Sequence, residues 1–326
     1  PEAPVIQRLL SRFIEADCGL AAMEVSSIAL ALHRADAIPY RVAVFTNLSR
    51  DHLDFHGGMD EYLEAKARLF RELVATDGTA ILPTEGPGSE IPVRCRRTWQ
   101  FGQGGDLRAE NACATLQGTT FDAHTPMGTR PLSLRLLGGF NVSNALAALG
   151  AALALDLPLD ACIQGLSELA VVPGRLEPVP NPLGLSILVD YAHTPEALST
   201  VLGVLGELTP GRIFTVFGCG GDRDPGKRPM MGRAASRGSH VAVVTSDNPR
   251  SEDPQAIIGQ IVPGVEGNHV IVPDRKEAIA HAVSLAGPDD VVLIAGKGHE
   301  RTQDLGDRII PFDDRTVALQ ACEVLQ

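Results

Sequence analysis

The sequence lacks the features that define several classes of protein. No apolar run approaches the ~20 residues that a membrane-spanning helix needs. The formal net charge is −12, which argues against a general nucleic-acid-binding surface. None of the six cysteines is spaced as C-x-x-C, so a zinc or redox pair is not indicated. With 44% hydrophobic and only 4% aromatic residues, the composition predicts a soluble globular protein. The scattered cysteines predict reduced thiols and a cytoplasmic location.

The length of 326 residues predicts two domains, because one domain usually spans ~150 residues. Prolines and glycines interrupt the pattern across residues 171–184, and we place the boundary between residues 173 and 174. After it, short apolar strands alternate with helical segments, which predicts a parallel α/β sheet with helices on both faces. Before it we expect a helix over 3–16, a buried strand over 19–25 ending near Glu24, a helix over 59–74 and a helix opened by Asn141.

Polar loops follow the predicted strands of the C-terminal part. They are Asp190, "GCGGDRD" (218–224), "DNPR" (247–250) and "GKGHE" (296–300). In open α/β sheets, ligands bind at the carboxyl ends of the strands. Each loop alone could be an ordinary turn, but four at one edge predict a binding site.

The N-terminal part holds residues whose placement invites more than one interpretation. Lys66 falls on the apolar stripe of its predicted helix, where it either reaches past the edge, meets an anion or is chemically modified. His52 lies in a charge-rich loop, and two interpretations of it are open: a ligand for a divalent cation, or part of an ordinary solvated connection. Glu24 precedes Ser26 at a predicted strand end, and carboxylates so placed suit Mg²⁺. Asn144, one turn into its helix, is placed to face a ligand.

Nine motifs in order give the sequence a resemblance to a known family: "MEVSS", "VFTNLSRDHLDFHG", "EAKARLF", "GGFNVSNALAA", "PGRLE", "VDYAHTPEAL", "FGCGGDRDPGKRPMMG", "TSDNPR" and "AGKGHE". Together they resemble the Mur ligases, specifically the MurE type that adds 2,6-diaminopimelate. The resemblance implies an α/β fold: a central ATPase-type domain (1–173), truncated at its N-terminus, and a C-terminal Rossmann-like domain (174–326).

The resemblance also implies an activity. Mur ligases of this type join meso-diaminopimelate to the D-Glu γ-carboxylate of UDP-N-acetylmuramoyl-L-Ala-D-Glu, through an acyl phosphate formed from ATP. The reaction belongs to peptidoglycan precursor synthesis and requires Mg²⁺. The implied partners are therefore these small molecules, with no nucleic acid and no membrane, and we expect a monomer.

Site residues are implied by position in the motifs. For the metal site and the catalytic centre they are a carbamylated Lys66, His52 and Glu24. Contacts to ATP are implied for Asn144, Arg175 and Asp190. Contacts to the muramoyl dipeptide are implied for Ser26 and Arg34. The diaminopimelate pocket would comprise Arg223, Asp247, Asn248, Pro249, Arg250, Gly296 and Glu300.

The identity of the amino-acid substrate is predicted from the "DNPR" loop. Diaminopimelate ends in a second carboxylate and a second ammonium, so a guanidinium and acids belong together at that end. Arg250 would bind the carboxylate through two parallel hydrogen bonds, assisted by Arg223. Lysine lacks this carboxylate, so the loop predicts meso-diaminopimelate as the substrate.

The sequence departs from the family pattern in three places. It contains no G-T-x-G-K-T phosphate-binding run, so we expect the chain to begin after that loop and to turn over no ATP by itself. Ile28 and Leu32 stand where His and Gln are usual. The alternatives are a non-catalytic binding protein of the same family, and a related Mur ligase or folylpolyglutamate synthetase. The preserved motifs favour the diaminopimelate ligase.

Overall fold

The structure is a computed structural model that describes residues 2–49 and 53–326. The chain divides into two compact units. The first comprises Pro1–Ala112, Thr120–Leu132 and Phe140–Leu166, and the second comprises Cys113–Thr119, Ser133–Gly139 and Ser167–Gln326. No helix among the described residues is both long and apolar enough to cross a membrane. The boundary between residues 173 and 174 stays a prediction.

The chain up to residue 168 contains six helices and six strands among its described residues. The helices are α1 (Ala3–Glu15), α2 (Ser27–Ala31), α3 (Leu53–His56), α4 (Met59–Arg68), α5 (Gly139–Ala154) and α6 (Leu159–Glu168). The strands are β1 (Tyr40–Val44), β2 (Val74–Pro83), β3 (Arg97–Phe101), β4 (Arg108–Thr115), β5 (Gly118–Thr125) and β6 (Gly128–Leu134). A π-helical turn, Leu69–Leu73, extends α4 to β2.

Two three-stranded sheets organise these strands, in the orders β1-β2-β3 and β4-β5-β6. The first is parallel, and a cluster of buried side chains packs against it, including Leu30, Phe45, Phe70 and Leu82. This cluster joins α2 and the end of α4 to the sheet. It therefore fixes the helix that carries Lys66.

Two predictions for this part were wrong. The strand predicted over residues 19–25 does not form: the apolar run is exposed up to Glu24, and the sheet as described has β1 at its edge. Without a neighbouring strand, its backbone N–H and C=O groups have no ladder to join. Asn141 does not open its helix either. It is the third residue of α5 and is buried, so it cannot be the N-cap.

The remainder of the chain forms a six-stranded sheet. Its strands are β7 (Glu177–Pro178), β8 (Ser186–Asp190), β9 (Ile213–Phe217), β10 (Val241–Val244), β11 (His269–Ile271) and β12 (Val291–Ala295). The order is β11-β10-β9-β12-β8-β7, and all pairs are parallel except β7-β8. The short hairpin β13 (Thr302–Asp304) and β14 (Ile309–Pro311) follows. The predicted parallel α/β sheet is confirmed.

Helices cover both faces of this sheet. They are α7 (Pro195–Leu208), α8 (Lys227–Gly238), α9 (Pro254–Ile261), α10 (Arg275–Leu285) and α11 (Asp314–Leu325). Phe214 and Val216 of β9 pack with α10 and α11 in one buried cluster. Thr215 points to the other face, where its hydroxyl accepts a 2.6 Å hydrogen bond from Ser239 after α8. With both faces covered, ligands can reach the strands only at their ends.

Candidate active site

Four loops leave the carboxyl ends of neighbouring strands in the second unit. Asp190 ends β8, and the loops 218–224, 247–250 and 296–300 follow β9, β10 and β12. These strands are adjacent in the sheet order, so the loops gather at one edge. The loops lie close to one another: a side-chain carbon on Gly296 would lie 2.7 Å from Asp247 Oδ2.

A buried lysine connects two of these loops. Lys297 has no exposed surface, and its Nζ donates hydrogen bonds to Asn248 Oδ1 (2.9 Å) and Glu300 Oε2 (3.0 Å). It also lies 4.0 Å from Asp247 Oδ1. The amide of Asn248 donates to the same Glu300 oxygen at 2.9 Å. Burial by itself raises the pKa of Glu300, but the bonds from Asn248 and Lys297 outweigh it, so the pKa lies below its ordinary value. Glu300 is therefore anionic at neutral pH.

The two arginines predicted to act together are neighbours. A side-chain carbon on Gly220 would lie 2.9 Å from Arg250 Nη1 and 3.7 Å from Arg223 Cγ. Arg250 Nη1 donates to the carbonyl of Gly221 at 2.6 Å, and the residue adopts a left-handed conformation with φ +52°. Glycine is needed at 221, where any side chain would overlap the carbonyl of Pro249. The glycines of "GCGGDRD" thus let the loop approach "DNPR" closely.

An open cleft of about 550 Å³ lies beside Arg250. Its walls carry mainly acids, among them Asp222, Glu252, Asp304 and Asp307. The guanidinium of the buried Arg228 binds both carboxylate oxygens of Glu252 at 2.8 Å and holds the carbonyl of Gly220 at 3.2 Å. Arg250 therefore faces the cleft among acidic residues, while the buried Arg228 holds the loop 218–224 in place.

The residues implied for ATP in this unit lie around one tyrosine. The guanidinium of Arg175 lies 5.1 Å from the ring centre of Tyr191, which also contacts the rings of His193 (4.7 Å) and His299 (5.5 Å). Arg175 is exposed and so accessible to a ligand. The loops are tightly packed here, since a side chain on Gly174 would overlap the backbone nitrogen of His299.

Asp190 is buried and already engaged with the backbone. Its two oxygens accept hydrogen bonds from the N–H groups of Leu176 and Ala192, each at 2.7 Å. Burial raises the pKa of Asp190 and outweighs these bonds. Through its two hydrogen bonds the residue fixes the loop that carries Arg175, and its contact with ATP stays a prediction.

In the first unit, Lys66 lies in an aromatic setting. Its Nζ is 5.1 Å from the ring centre of Tyr62, and the ring of His56 stacks on Tyr62 at 5.1 Å. His56 Nε2 is 2.8 Å from Ser27 Oγ. Glu24 is exposed on the irregular segment before α2, and the predicted ligand His52 lies outside the described residues. Within residues 2–49 and 53–326, no three His, Cys, Asp or Glu side chains are grouped as a metal site.

The remaining predicted contacts lie on or near α2 and α5. Ser26 caps α2, accepting a 3.1 Å hydrogen bond from the Ala29 N–H. Arg34 forms an ion pair with Glu2 at 3.0 Å. Asn144 is exposed on α5, and its amide donates to Asn141 Oδ1 at 3.1 Å. The ligand roles of these residues stay predictions.

Sequence reasoning missed several residues of the site, among them Lys297, Tyr191, His193 and His299. All four fall inside the motifs "VDYAHTPEAL" and "AGKGHE". A lysine beside a strand of five apolar residues was a usable sign, because an ammonium so placed needs acidic partners. The ring contacts of Tyr191 join different loops and leave no local pattern.

Comparison with known protein families gives two matching domains. Residues 1–152 match the Mur ligase middle domain, and residues 174–298 match the Mur ligase glutamate ligase domain. The chain therefore belongs to the Mur ligase family.

Its relatives narrow the family to one reaction type. UDP-N-acetylmuramoyl-L-alanyl-D-glutamate–2,6-diaminopimelate ligase of Geobacillus kaustophilus is 43% identical, over 98% of this chain and 68% of that protein. The ligase of the same name from Geobacter sulfurreducens is 42% identical, with the same coverage. A solved structure of a ligase of that name superimposes with a TM-score of 0.67 at 34% identity, covering 100% of this chain and 69% of the other. Folylpolyglutamate synthase of Mycobacterium tuberculosis also reaches 0.67, but at 22% identity, over 90% and 65% of the two chains, it shows the fold alone.

Proposed function

We propose that this protein is the ligase that adds meso-2,6-diaminopimelate to UDP-N-acetylmuramoyl-L-alanyl-D-glutamate in peptidoglycan precursor synthesis. ATP phosphorylates the D-Glu γ-carboxylate, and an amine of diaminopimelate attacks the carbonyl carbon of the acyl phosphate. The new C–N bond forms as the C–O bond to phosphate breaks and the amine loses a proton. We also infer a cytoplasmic monomer that acts on these small molecules.

The observation that carries the proposal is the mixed charge of the pocket. Arg250 and Arg223 both lie beside Gly220. Asp247 and Asn248 belong to the same loop as Arg250, Glu300 belongs to the loop after β12, and the buried Lys297 binds both Asn248 and Glu300. A ligand with one carboxylate and one ammonium at its far end matches this arrangement. The arginines bind the carboxylate, and the acids bind the ammonium. The identity of 42–43% to ligases named for diaminopimelate supports the same substrate.

The residues implied for magnesium fit the chemistry of that ion. Mg²⁺ binds oxygen ligands, which the carboxylate of Glu24 and a carbamate on Lys66 would supply. We infer that these residues, with His52, hold Mg²⁺ when substrates bind. The ion would supply positive charge beside the phosphate oxygens. Arg175, exposed above Tyr191, would add a second positive charge to the phosphates.

The test compares the wild type with two Arg250 variants, each supplied with two amino acids in turn. Amino-acid-dependent phosphate release from ATP is measured for the complete gene product with meso-diaminopimelate and with L-lysine. We expect the wild type to prefer diaminopimelate, and Arg250→Ala to lose about 30-fold or more in kcat/KM for it, since removing one partner of a desolvated charge pair costs about 2 kcal/mol or more. Arg250→Lys should recover little, because a lysine cannot form the two parallel bonds.

The matched control is Arg237→Ala, which removes an exposed arginine from the last turn of α8 in the same unit. It should leave the preference for diaminopimelate unchanged. Equal use of lysine by the wild type, or unchanged use of diaminopimelate by Arg250→Ala, would contradict the proposal.

A further inference from the structure

We propose that the buried ion pair Arg275–Asp314 is a positioning pair that sets the spacing between the two loops of the amino-acid pocket. The inference rests on the proposed function for its substrate, but its structural part stands on contacts alone. It predicts that disturbing the pair weakens diaminopimelate use while the fold persists.

The pair lies wholly inside the second unit. Arg275 is the first residue of α10 and Asp314 is the first residue of α11, and neither side chain has any exposed surface. Arg275 Nε donates to Asp314 Oδ1 at 2.8 Å, and Nη2 donates to Oδ2 at 2.7 Å. This two-bond geometry fixes the plane of the guanidinium.

The remaining N–H groups of the guanidinium reach the backbone of two separate strand ends. Nη2 donates to the carbonyl of Ala295 at 3.0 Å, and Nη1 lies 3.4 Å from the carbonyl of Ser246 in a longer hydrogen bond. Ala295 ends β12 and immediately precedes Gly296. Ser246 follows β10 and immediately precedes Asp247. Because β9 separates these two strands in the sheet, one side chain spans the end of β9 and ties its neighbours together.

The two loops whose strand ends Arg275 holds also contact each other directly. Lys297 donates to Asn248, and Gly296 approaches Asp247 so closely that a side-chain carbon there would lie 2.7 Å from its carboxylate. These contacts fix the distance between the two loops. A shift of one strand end would move Asp247 and Asn248 relative to Gly296 and Glu300, and thereby change the distances between the charged groups of the pocket.

Stability alone is a weak explanation for this pair. Removing two charges from water is costly, and a buried ion pair can often be replaced by apolar side chains with no loss of stability. Apolar side chains cannot donate to carbonyls, so the pair provides fixed backbone positions that they would not. The amino ends of β9 and β12 offer a comparison. There Arg212 binds Asp290 at 2.8 Å before β9 and β12 begin, away from the pocket loops.

The test uses a conservative change in each pair. Arg275→Lys keeps the charge but loses the planar fork, and Arg212→Lys makes the same change at the amino ends of the strands. In the complete gene product, we expect Arg275→Lys to raise the KM for diaminopimelate ten-fold or more with a less than twofold change in the KM for ATP. Hydrogen exchange should quicken over residues 246–251 and 295–300, while Ile213–Phe217 stay protected. Arg212→Lys should change neither KM by more than twofold.

A second variant, Arg275→Met with Asp314→Leu, removes both charges together. It should melt within a few degrees of the wild type yet show the same rise in KM; if it does not fold, Arg275→Lys decides. Wild-type kinetics and loop exchange in Arg275→Lys would overturn the inference, as would faster exchange spread evenly over the second unit. If the wild type does not use diaminopimelate, the proposed function fails, and the exchange pattern still decides the role of the pair.

Discussion

Lys297 donates a 2.9 Å hydrogen bond to Asn248, although the lysine side chain has no exposed surface. The bond joins the loop after β12 to the loop after β10. An ammonium at this depth is stable only because Glu300 and Asp247 lie around it.

Replacing this lysine should damage both the fold and the site. Lys297→Met leaves the acids without their buried partner, and we expect a loss of about 3–5 kcal/mol in the free energy of unfolding. Urea unfolding measures the loss. Lys276→Met, at an exposed lysine of α10, should change stability by less than about 0.5 kcal/mol. Equal stability of the two variants would show that Lys297 has no such role.

Lys66 should carry a carbamate. The chain has four lysines, Lys66, Lys227, Lys276 and Lys297, so few amines can react with carbon dioxide. In the presence of ¹³C-bicarbonate, we expect one carbamate resonance by ¹³C nuclear magnetic resonance, and its absence in Lys66→Ala. Lys276→Ala, at an exposed lysine, should retain the signal. A carbamate resonance that persists in Lys66→Ala would assign the modification elsewhere.

Gly174 should tolerate no side chain. Its φ is +69°, and a side-chain carbon would overlap the backbone nitrogen of His299. Gly184 has almost the same φ, +68°, but nothing lies within 4 Å of the corresponding carbon. Gly184→Ala should therefore cost about 1–2 kcal/mol in the free energy of unfolding from backbone strain alone. Gly174→Ala should cost clearly more, because the clash adds to the same strain. Similar losses in both variants would mean that the loops relax freely.

Acid should weaken the second unit through Glu252. The guanidinium of Arg228, aided by the N–H of Asp222, lowers the pKa of Glu252 to about 2. Because the pKa of Glu252 is lower in the folded state, its ionised carboxylate stabilises the fold at pH values above the unfolded pKa of about 4.5. This contribution is lost as the pH falls toward 2, the folded pKa. The urea midpoint should therefore fall between pH 5 and about 2, and fall less in Glu252→Gln. Glu207→Gln, at an exposed position of α7, should follow the wild type.

Short-range patterns predicted most of the fold. The alternation of apolar strands and helices after residue 184 gave the parallel sheet, because strands covered on both faces must be apolar throughout. The antiparallel β7 was missed, since two residues are too few to carry a pattern. The strand expected over residues 19–25 did not form for a different reason: an apolar run becomes a strand only if a neighbour accepts its hydrogen bonds.

For the site, the sequence by itself determined which residue types stand at the strand ends, and so the kind of ligand they suit. It placed Asp247, Arg250 and Glu300 in loops that a parallel sheet must bring to one edge. Only the tertiary structure decided how those loops are held. The bonds from Lys297 to Asn248 and from Arg275 to Ala295 join residues 49 and 20 positions apart. No local periodicity records such contacts, because they depend on strand order, and strand order is set by the packing of the whole sheet.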